Sequence, residues 1–331
     1  MRAALVEEFG PPESLVVREV ADPVPGPGEV LVEVAAAGVN FPDVLVVAGT
    51  YQILPERPFS PGKEVAGVVR SVGSGVARVQ VGDRVVAQVE NGGYAELVLV
   101  PEALVVALPD GVPFREAAGL GLPAITAHVA LVRRAGLRAG ETVLVTGAGG
   151  GVGSAGIQIA KALGATVIAV ARDEQRAALA AELGADHVLV AGPSLRDEVL
   201  ALTGRRGADV VLESVGGDVF AQALRCVAWE GRLVVIGFAS GELPTIKAGH
   251  LLVKNIAVLG IQVSDYRDRE PEAFRAVVEE LLDLHVQGRL AVPIDRSCPL
   301  EQAGSALAAV QAGGLAGRVV LTCGPAEPAA G

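Results

Sequence analysis

Residues 142–161 read TVLVTGAGGGVGSAGIQIAK: a β-branched run, five glycines within seven residues, and an amphipathic stretch without proline. A chain leaves a strand this abruptly where several positions accept backbone angles closed to other side chains. The helix that follows then opens with amides that lack intrahelical partners, and these, with the positive end of the helix dipole, attract a phosphate. Gly164 closes the helical stretch, and the apolar run 166–170 begins another strand, so the segment reads as one βαβ unit. The spacing is Ala148, Gly150, Gly153, with alanine at the first position of G-x-G-x-x-G and added freedom from Gly149 and Gly151. A dinucleotide is the expected guest, its pyrophosphate held at Gly150, Gly151 and Val152.

Enzymes that use NAD carry a carboxylate at the end of the second strand, about 20 residues on, to grip the ribose. Ala171 takes that place here, followed at once by Arg172 and, one helical turn further, by Arg176. Cations suit a 2′-phosphate, so NADPH is expected ahead of NADH. Asp173 and Glu174 stand beside these arginines, which leaves open a second reading of all four as a solvated helix start.

At 331 residues the chain exceeds one ordinary core, and two domains are expected. Short β-type runs at 3–6, 15–20, 29–37, 64–72, 84–89 and 95–100, punctuated by glycine and proline turns, predict a small barrel-like β domain. From Arg115 the rhythm changes to helices alternating with strands at 142–146, 166–170, 187–190, 209–213, 232–236 and 256–261. That is the pattern of a doubly wound parallel sheet in an α/β fold. A last strand, 318–322, is too isolated to join this sheet and is expected to return to the first domain, while 324–331 is expected to fray.

Hydrophobic residues make up 51% of the chain, yet no window reads as a membrane span. Glu7 and Glu8 interrupt what would be the apolar core of a leader, and a cytoplasmic location is expected. A net charge of −11 opposes nonspecific attraction to nucleic acid or anionic lipid, which points to small-molecule partners. Cys226, Cys298 and Cys323 are odd in number and form no C-x-x-C pair, so neither a disulfide framework nor a zinc cluster is indicated.

Ahead of the glycine turn come Gly38-Val39-Asn40-Phe41-Pro42-Asp43, Pro61-Gly62-Lys63-Glu64-Val65-Ala66-Gly67, Val81-Gly82-Asp83-Arg84-Val85 and Gly92-Gly93-Tyr94-Ala95-Glu96. In that order they resemble the zinc-independent quinone oxidoreductase branch of the medium-chain dehydrogenase/reductase superfamily, the relatives of zeta-crystallin. The resemblance covers essentially the whole chain. It implies a GroES-like β-rich catalytic domain at 1–118, a doubly wound Rossmann domain binding NADPH at 119–262, and a return to the catalytic domain at 263–331. The places that hold catalytic zinc in the alcohol dehydrogenases of this superfamily correspond to Asn40, Lys63 and Leu122. An amide is a poor ligand, an ammonium repels the ion and leucine offers no donor, so no metal is expected. Without a Lewis acid, alcohol oxidation is disfavoured, and the resemblance implies hydride transfer from NADPH to a quinone.

Negative charge then develops on the acceptor oxygen, and a positioned donor lowers the barrier. The resemblance implies Tyr51, in the loop 49–52, as that donor, Asn40 as the group orienting the acceptor carbonyl or the nicotinamide ribose, and Asp43 as the residue orienting its neighbours. By the residues alone, Asn40 ahead of Phe41-Pro42-Asp43 also reads as a helix cap, and Tyr51 as cover for a cleft rim. The resemblance further implies a nicotinamide contact at Thr126, segments over the nucleotide at Ser214 and Phe238, and a basic position near the cofactor at Arg318.

Two other functions stay open. One is an NADPH-dependent enone, 2-alkenal or enoyl-thioester reductase, with the loop 261–271 shaping the acceptor pocket and its arginines either drawing in an acidic substrate or simply solvated. The other is a non-catalytic NADPH-binding protein of the crystallin kind. The apolar run 255–263 leaves a sheet edge to cover, and a homodimer is expected.

Overall fold

The computed structural model describes residues 1–324, so most of the tail expected to fray lies outside the described residues. The chain divides into two compact units: Met1–Leu122 with Ser264–Val286 and the segment from Val292, and Pro123–Val263 with Gln287–Ala291. The divisions fall a few residues from the expected 118/119 and 262/263, and Gln287–Ala291 goes to the second unit.

In the first unit, β1 (Arg2–Leu5) and β2 (Val16–Glu19) form an antiparallel ribbon. The larger sheet takes β3 (Glu29–Val39), β4 (Glu64–Val72), β5 (Arg84–Gln88), β6 (Leu97–Pro101) and β7 (Val105–Ala107). Along β3 the residues Val30, Val32 and Val34 point into the core, and from Ala36 to Val39 the strand is buried on both faces. The β3–β4 register slips between Val34 and Ala36, and beside the slip a side chain on Gly67 would strike the carbonyl of Glu33. Glycine lets the two backbones close there. Two helices belong to this stretch of chain, α1 (Phe41–Val47) directly after β3 and α2 (Phe114–His128) after β7.

The second unit is a six-stranded parallel sheet. Its strands are β8 (Thr142–Thr146), β9 (Thr166–Ala171), β10 (His187–Val190), β11 (Ala208–Glu213), β12 (Val227–Val235) and β13 (Ala257–Gly260), in spatial order β10-β9-β8-β11-β12-β13. The connections run through α3 (Gly151–Ala162), α4 (Glu174–Glu182), α5 (Leu195–Leu202), α6 (Gly217–Cys226) and α7 (Ala248–Lys254). Chain order reverses between β8 and β11, the switch point at which open α/β sheets receive ligands.

The chain then forms α8 (Val263–Arg269), α9 (Pro271–Val286), β14 (Ile294–Pro299), α10 (Ala303–Ala312) and β15 (Arg318–Thr322). Strand β15 returns to the first unit, pairing antiparallel with β3 and parallel with β14. A helix, not a loop, thus occupies most of 261–271. No helix among the described residues is long and apolar enough to cross a membrane.

Candidate active site

In the second unit the cradle begins where β8 ends. Gly147 takes the left-handed φ of +64°, so the position that needs glycine lies one residue before Ala148, whose methyl is fully buried. This explains the alanine in the motif. Gly150 caps α3 in an extended conformation, and Gly151 and Val152 form its half-buried first turn, where helix amides face outward from the ladder. A side chain on Gly153 would strike the carbonyl oxygen of Gly147, and one on Gly149 would strike the stem of Arg176. The helix is therefore seated directly on the turn, as close backbone approach to a pyrophosphate requires.

Asp173 caps α4 by accepting the Arg176 N–H at 3.0 Å, and its other oxygen accepts from the Arg176 guanidinium. Arg176 is buried across the glycine turn, and exposed Arg172 lies 3.7 Å from the same Asp173 carboxylate. Two guanidiniums thus meet at the Asp173 carboxylate.

At the end of β11, Glu213 is fully buried and burial pushes its carboxyl upward. It accepts from the N–H groups of Val215 at 2.9 Å and Gly216 at 3.1 Å and from the Thr146 hydroxyl at 3.2 Å. This fixes Ser214, whose hydroxyl donates to the Thr146 carbonyl at 3.2 Å. The segment after β12 laces onto it, Ala239 N–H to Ser214 and Ser240 N–H to Val215, with half-buried Phe238 at its head. Thr126 is buried on α2.

In the first unit, β3, α1, β4 and β15 bring together a buried charge network. Glu64 accepts from Asn40 Nδ2 at 2.7 Å, from Arg318 Nη2 at 2.5 Å and from the Leu122 N–H. Arg318 also donates to Asn40 Oδ1 at 3.0 Å and to the Gly119 carbonyl at 2.9 Å. Burial raises the Glu64 carboxyl, and the neighbouring Arg318 opposes the rise. Gly121 must lack a side chain because Glu64 and Gln88 fill the space beside it.

Asp43 Oδ2 accepts the Asn40 N–H at 2.9 Å and the Tyr94 hydroxyl at 2.8 Å, while its Oδ1 is buried without a hydrogen-bond partner among the described residues. Burial pushes this carboxyl up to about 6 against the pull of Lys63, and burial also holds the Tyr94 phenol well above its usual range. Lys63 donates to the carbonyl of Glu90 at 3.1 Å and to its carboxylate at 2.5 Å, and lies 4.9 Å from the centre of the half-buried Tyr51 ring.

Both ends of the Asn40 side chain are engaged inside the protein, by Glu64 and by Arg318. Arg318, expected near the cofactor, is held by Glu64 and Asn40 at the start of β15. Arg267 is neither solvated nor open to an acidic substrate: it is buried, donating to Glu90 at 2.8 Å and to Asp268 at 2.7 Å. Glu64, Tyr94, Glu90 and Glu213 organise the two sites and carried no assigned role from the sequence. The readable signal was an acid at the end of each apolar run, Glu64 opening EVAGVV and Glu213 closing ADVVLE. Among the described residues, no group of three or more His, Cys, Asp or Glu is arranged to hold a metal ion.

A parallel sheet with a glycine cradle at its switch point, in one chain with a GroES-like β unit, is the architecture of medium-chain dehydrogenases and reductases. The family model for the alcohol dehydrogenase GroES-like domain matches residues 26–110, and that for the zinc-binding dehydrogenase matches 151–283. Quinone oxidoreductase-like protein 2 homolog of Nematostella vectensis is 37% identical over 325 residues, 97% of this chain and 88% of that one. The Escherichia coli quinone oxidoreductase solved with NADPH superposes with a TM-score of 0.90 at 30% identity, covering 97% of this chain and 100% of that one. A structure of an NAD-dependent alcohol dehydrogenase superposes equally, TM-score 0.90 at 32% identity, over 98% and 100%. The chain belongs to the quinone oxidoreductase branch of the medium-chain dehydrogenase/reductase superfamily.

Proposed function

We propose that this protein is an NADPH-dependent quinone reductase that works without a metal ion. The observation that carries the reading is the donor set in the first unit. Asn40 offers an amide already spent on Glu64 and Arg318, and Lys63 offers an ammonium already paired with Glu90, where a Lewis acid would need anionic or imidazole ligands. Acceptors that need no metal activation are those already conjugated and electron-poor, of which a quinone is the simplest.

The glycine turn and the first turn of α3 fit a dinucleotide pyrophosphate, since the missing side chains at Gly149 and Gly153 let the helix and Arg176 close onto the turn. Arg172 and Arg176 favour a 2′-phosphate because two guanidiniums stand just past the end of β9, where an NAD enzyme carries a ribose-gripping carboxylate. Bound NADPH supplies a hydride. Thr126, Ser214 and Phe238 serve to orient the nicotinamide, with Glu213 holding the Ser214 loop in shape. Tyr51 donates a hydrogen bond to the acceptor oxygen as negative charge builds there, and solvent completes the protonation. Asn40 and Asp43 act behind it as positioning residues. A homodimer built on the β13 edge completes the reading.

Steady-state rates with NADPH and a series of 1,4-quinones, 2-alkenals and enoyl thioesters test this. Quinones are expected to give the highest kcat/KM, with NADH a poorer donor than NADPH. A quinone rate at background beside a measurable alkenal or thioester rate would transfer the protein to the enone or enoyl-thioester class. Tight NADPH binding with no acceptor reduced would make it a binding protein.

A further inference from the structure

The ammonium of Lys63 is 4% exposed, just ahead of β4. Burying an ammonium is costly, and a core that needed only volume would carry a hydrocarbon at this position. Its surroundings account for the charge. Two donors go to Glu90, the carbonyl at 3.1 Å and Oε1 at 2.5 Å, and the ring of Tyr51 faces the ammonium with its centroid 4.9 Å away. That is cation–π distance. The Glu90 carboxylate is shared, because Oε2 accepts from Arg267 at 2.8 Å and from the Ser264 hydroxyl at 3.2 Å. Glu90 and Asp268 together balance Lys63 and Arg267, so what reaches Tyr51 is the nearness of the Lys63 ammonium and not a net charge of the cluster. Asp43 feels it as well, its carboxyl drawn down by Lys63 against burial.

Tyr51 itself lies outside any regular element, followed by the exposed Gln52, Ile53 and Leu54, so backbone hydrogen-bond ladders do not fix its ring. The ring packs against the first unit's core, and the ammonium lies 4.9 Å from its centroid. A cation against a phenol draws electron density from the hydroxyl and makes it a stronger donor toward a developing oxyanion.

We infer that Lys63, clamped by the carboxylate that Glu90 shares with Arg267, is a positioning and specificity-determining residue that fixes Tyr51 and strengthens its hydroxyl for acceptors whose reduced form is an oxyanion. The inference rests on the reading of Tyr51 as the acceptor's donor. The acceptor class is a carbonyl-conjugated molecule, quinone or enone, that gains charge on oxygen.

The test uses the whole chain labelled with 3-fluorotyrosine. Tyr51, Tyr94 and Tyr266 are its only tyrosines, so three ¹⁹F resonances result and Tyr51→Phe assigns the first. Lys63→Met keeps the length and removes the charge. It is expected to move the Tyr51 resonance more than the other two and to lower kcat for 1,4-benzoquinone about tenfold to a hundredfold, at unchanged KM for NADPH. Lys63→Arg restores most of both. In the Tyr51→Phe background, Lys63→Met changes kcat less than about twofold, because its effect passes through the hydroxyl.

A Tyr51 resonance that ignores Lys63→Met overturns the inference, as does an equal loss of kcat with and without the Tyr51 hydroxyl. If Lys63→Met fails to fold, all three resonances collapse together. Glu90→Gln, which loosens the ammonium without removing it, then carries the same comparison with an intermediate shift expected and no shift overturning. A wild-type protein that reduces no acceptor, yet whose Tyr51 resonance follows Lys63, would sink the quinone reading and keep the clamp.

Discussion

At Asp43 two effects oppose each other, and burial wins: the carboxyl accepts hydrogen bonds from Asn40 and Tyr94 and still titrates near 6. In the unfolded chain it titrates near its usual 3.8, so between about pH 4 and 6 the native state holds more protons and stability falls as pH rises. Moving the carboxyl from 3.8 to about 6 corresponds to about 3 kcal/mol. Asp43→Asn removes the titration and keeps an oxygen for both donors. Urea midpoints from pH 4 to 7 are therefore expected to drop for the wild type relative to the variant, and parallel curves would contradict the buried carboxylate. The cradle glycines make a second residue-scale case. Gly153→Ala presses a methyl onto the Gly147 carbonyl, a backbone atom that cannot give way, and should cost about 1–3 kcal/mol of stability while weakening NADPH and NADH alike. Gly149→Ala meets Arg176 instead, so its expected signature is a selective loss for NADPH, read as a changed ratio of the two Kd values by calorimetry.

Among the elements, β15 shows how a strand is held by more than its ladder. Arg318 at its start reaches Glu64 at the start of β4, and Arg318→Ala would leave that carboxylate buried without its cation. Such a break costs about 3–5 kcal/mol, whereas Arg318→Met combined with Glu64→Gln removes the stranded charge and should cost less than the single change in thermal melts. The return of β15 to the first domain was legible because this five-residue β run stands far along the chain from the six regularly alternating strands of the doubly wound sheet. The glycine turn and the alternating strands were legible because each is a local pattern. Strand β7 was not, since three residues are too few to show alternation. Helix α8 was not either. Its VSDYRDR carries charge on every side, and the burial of Arg267 depends on Glu90, 177 residues away. The engagement of Asn40 was hidden likewise, being decided by Glu64 and Arg318, the latter 278 residues distant.

For the molecule as a whole, the six-stranded sheet ends at β13, which pairs with β12 on one side only. An edge strand presents a row of unpaired backbone groups, and proteins either blunt such an edge with charge and proline or cover it. This one reads Ala257-Val258-Leu259-Gly260, with neither. The preceding α7 buries none of its residues, leaving Leu252 78% and Val253 76% exposed, and Trp229 on β12 is 66% exposed. Apolar surface of this kind beside an open edge is what a two-fold partner covers, since an isologous contact brings the same edge from a second copy and continues the sheet. Light scattering is expected to give twice the 33.6 kDa chain mass. The double variant Leu252→Glu, Val253→Glu changes no residue of the cradle or of the charge network, so it should lower the mass to one chain while the far-ultraviolet spectrum stays native. A wild-type mass of one chain at micromolar concentration would mean that the edge is left open and that α7 faces solvent for another reason.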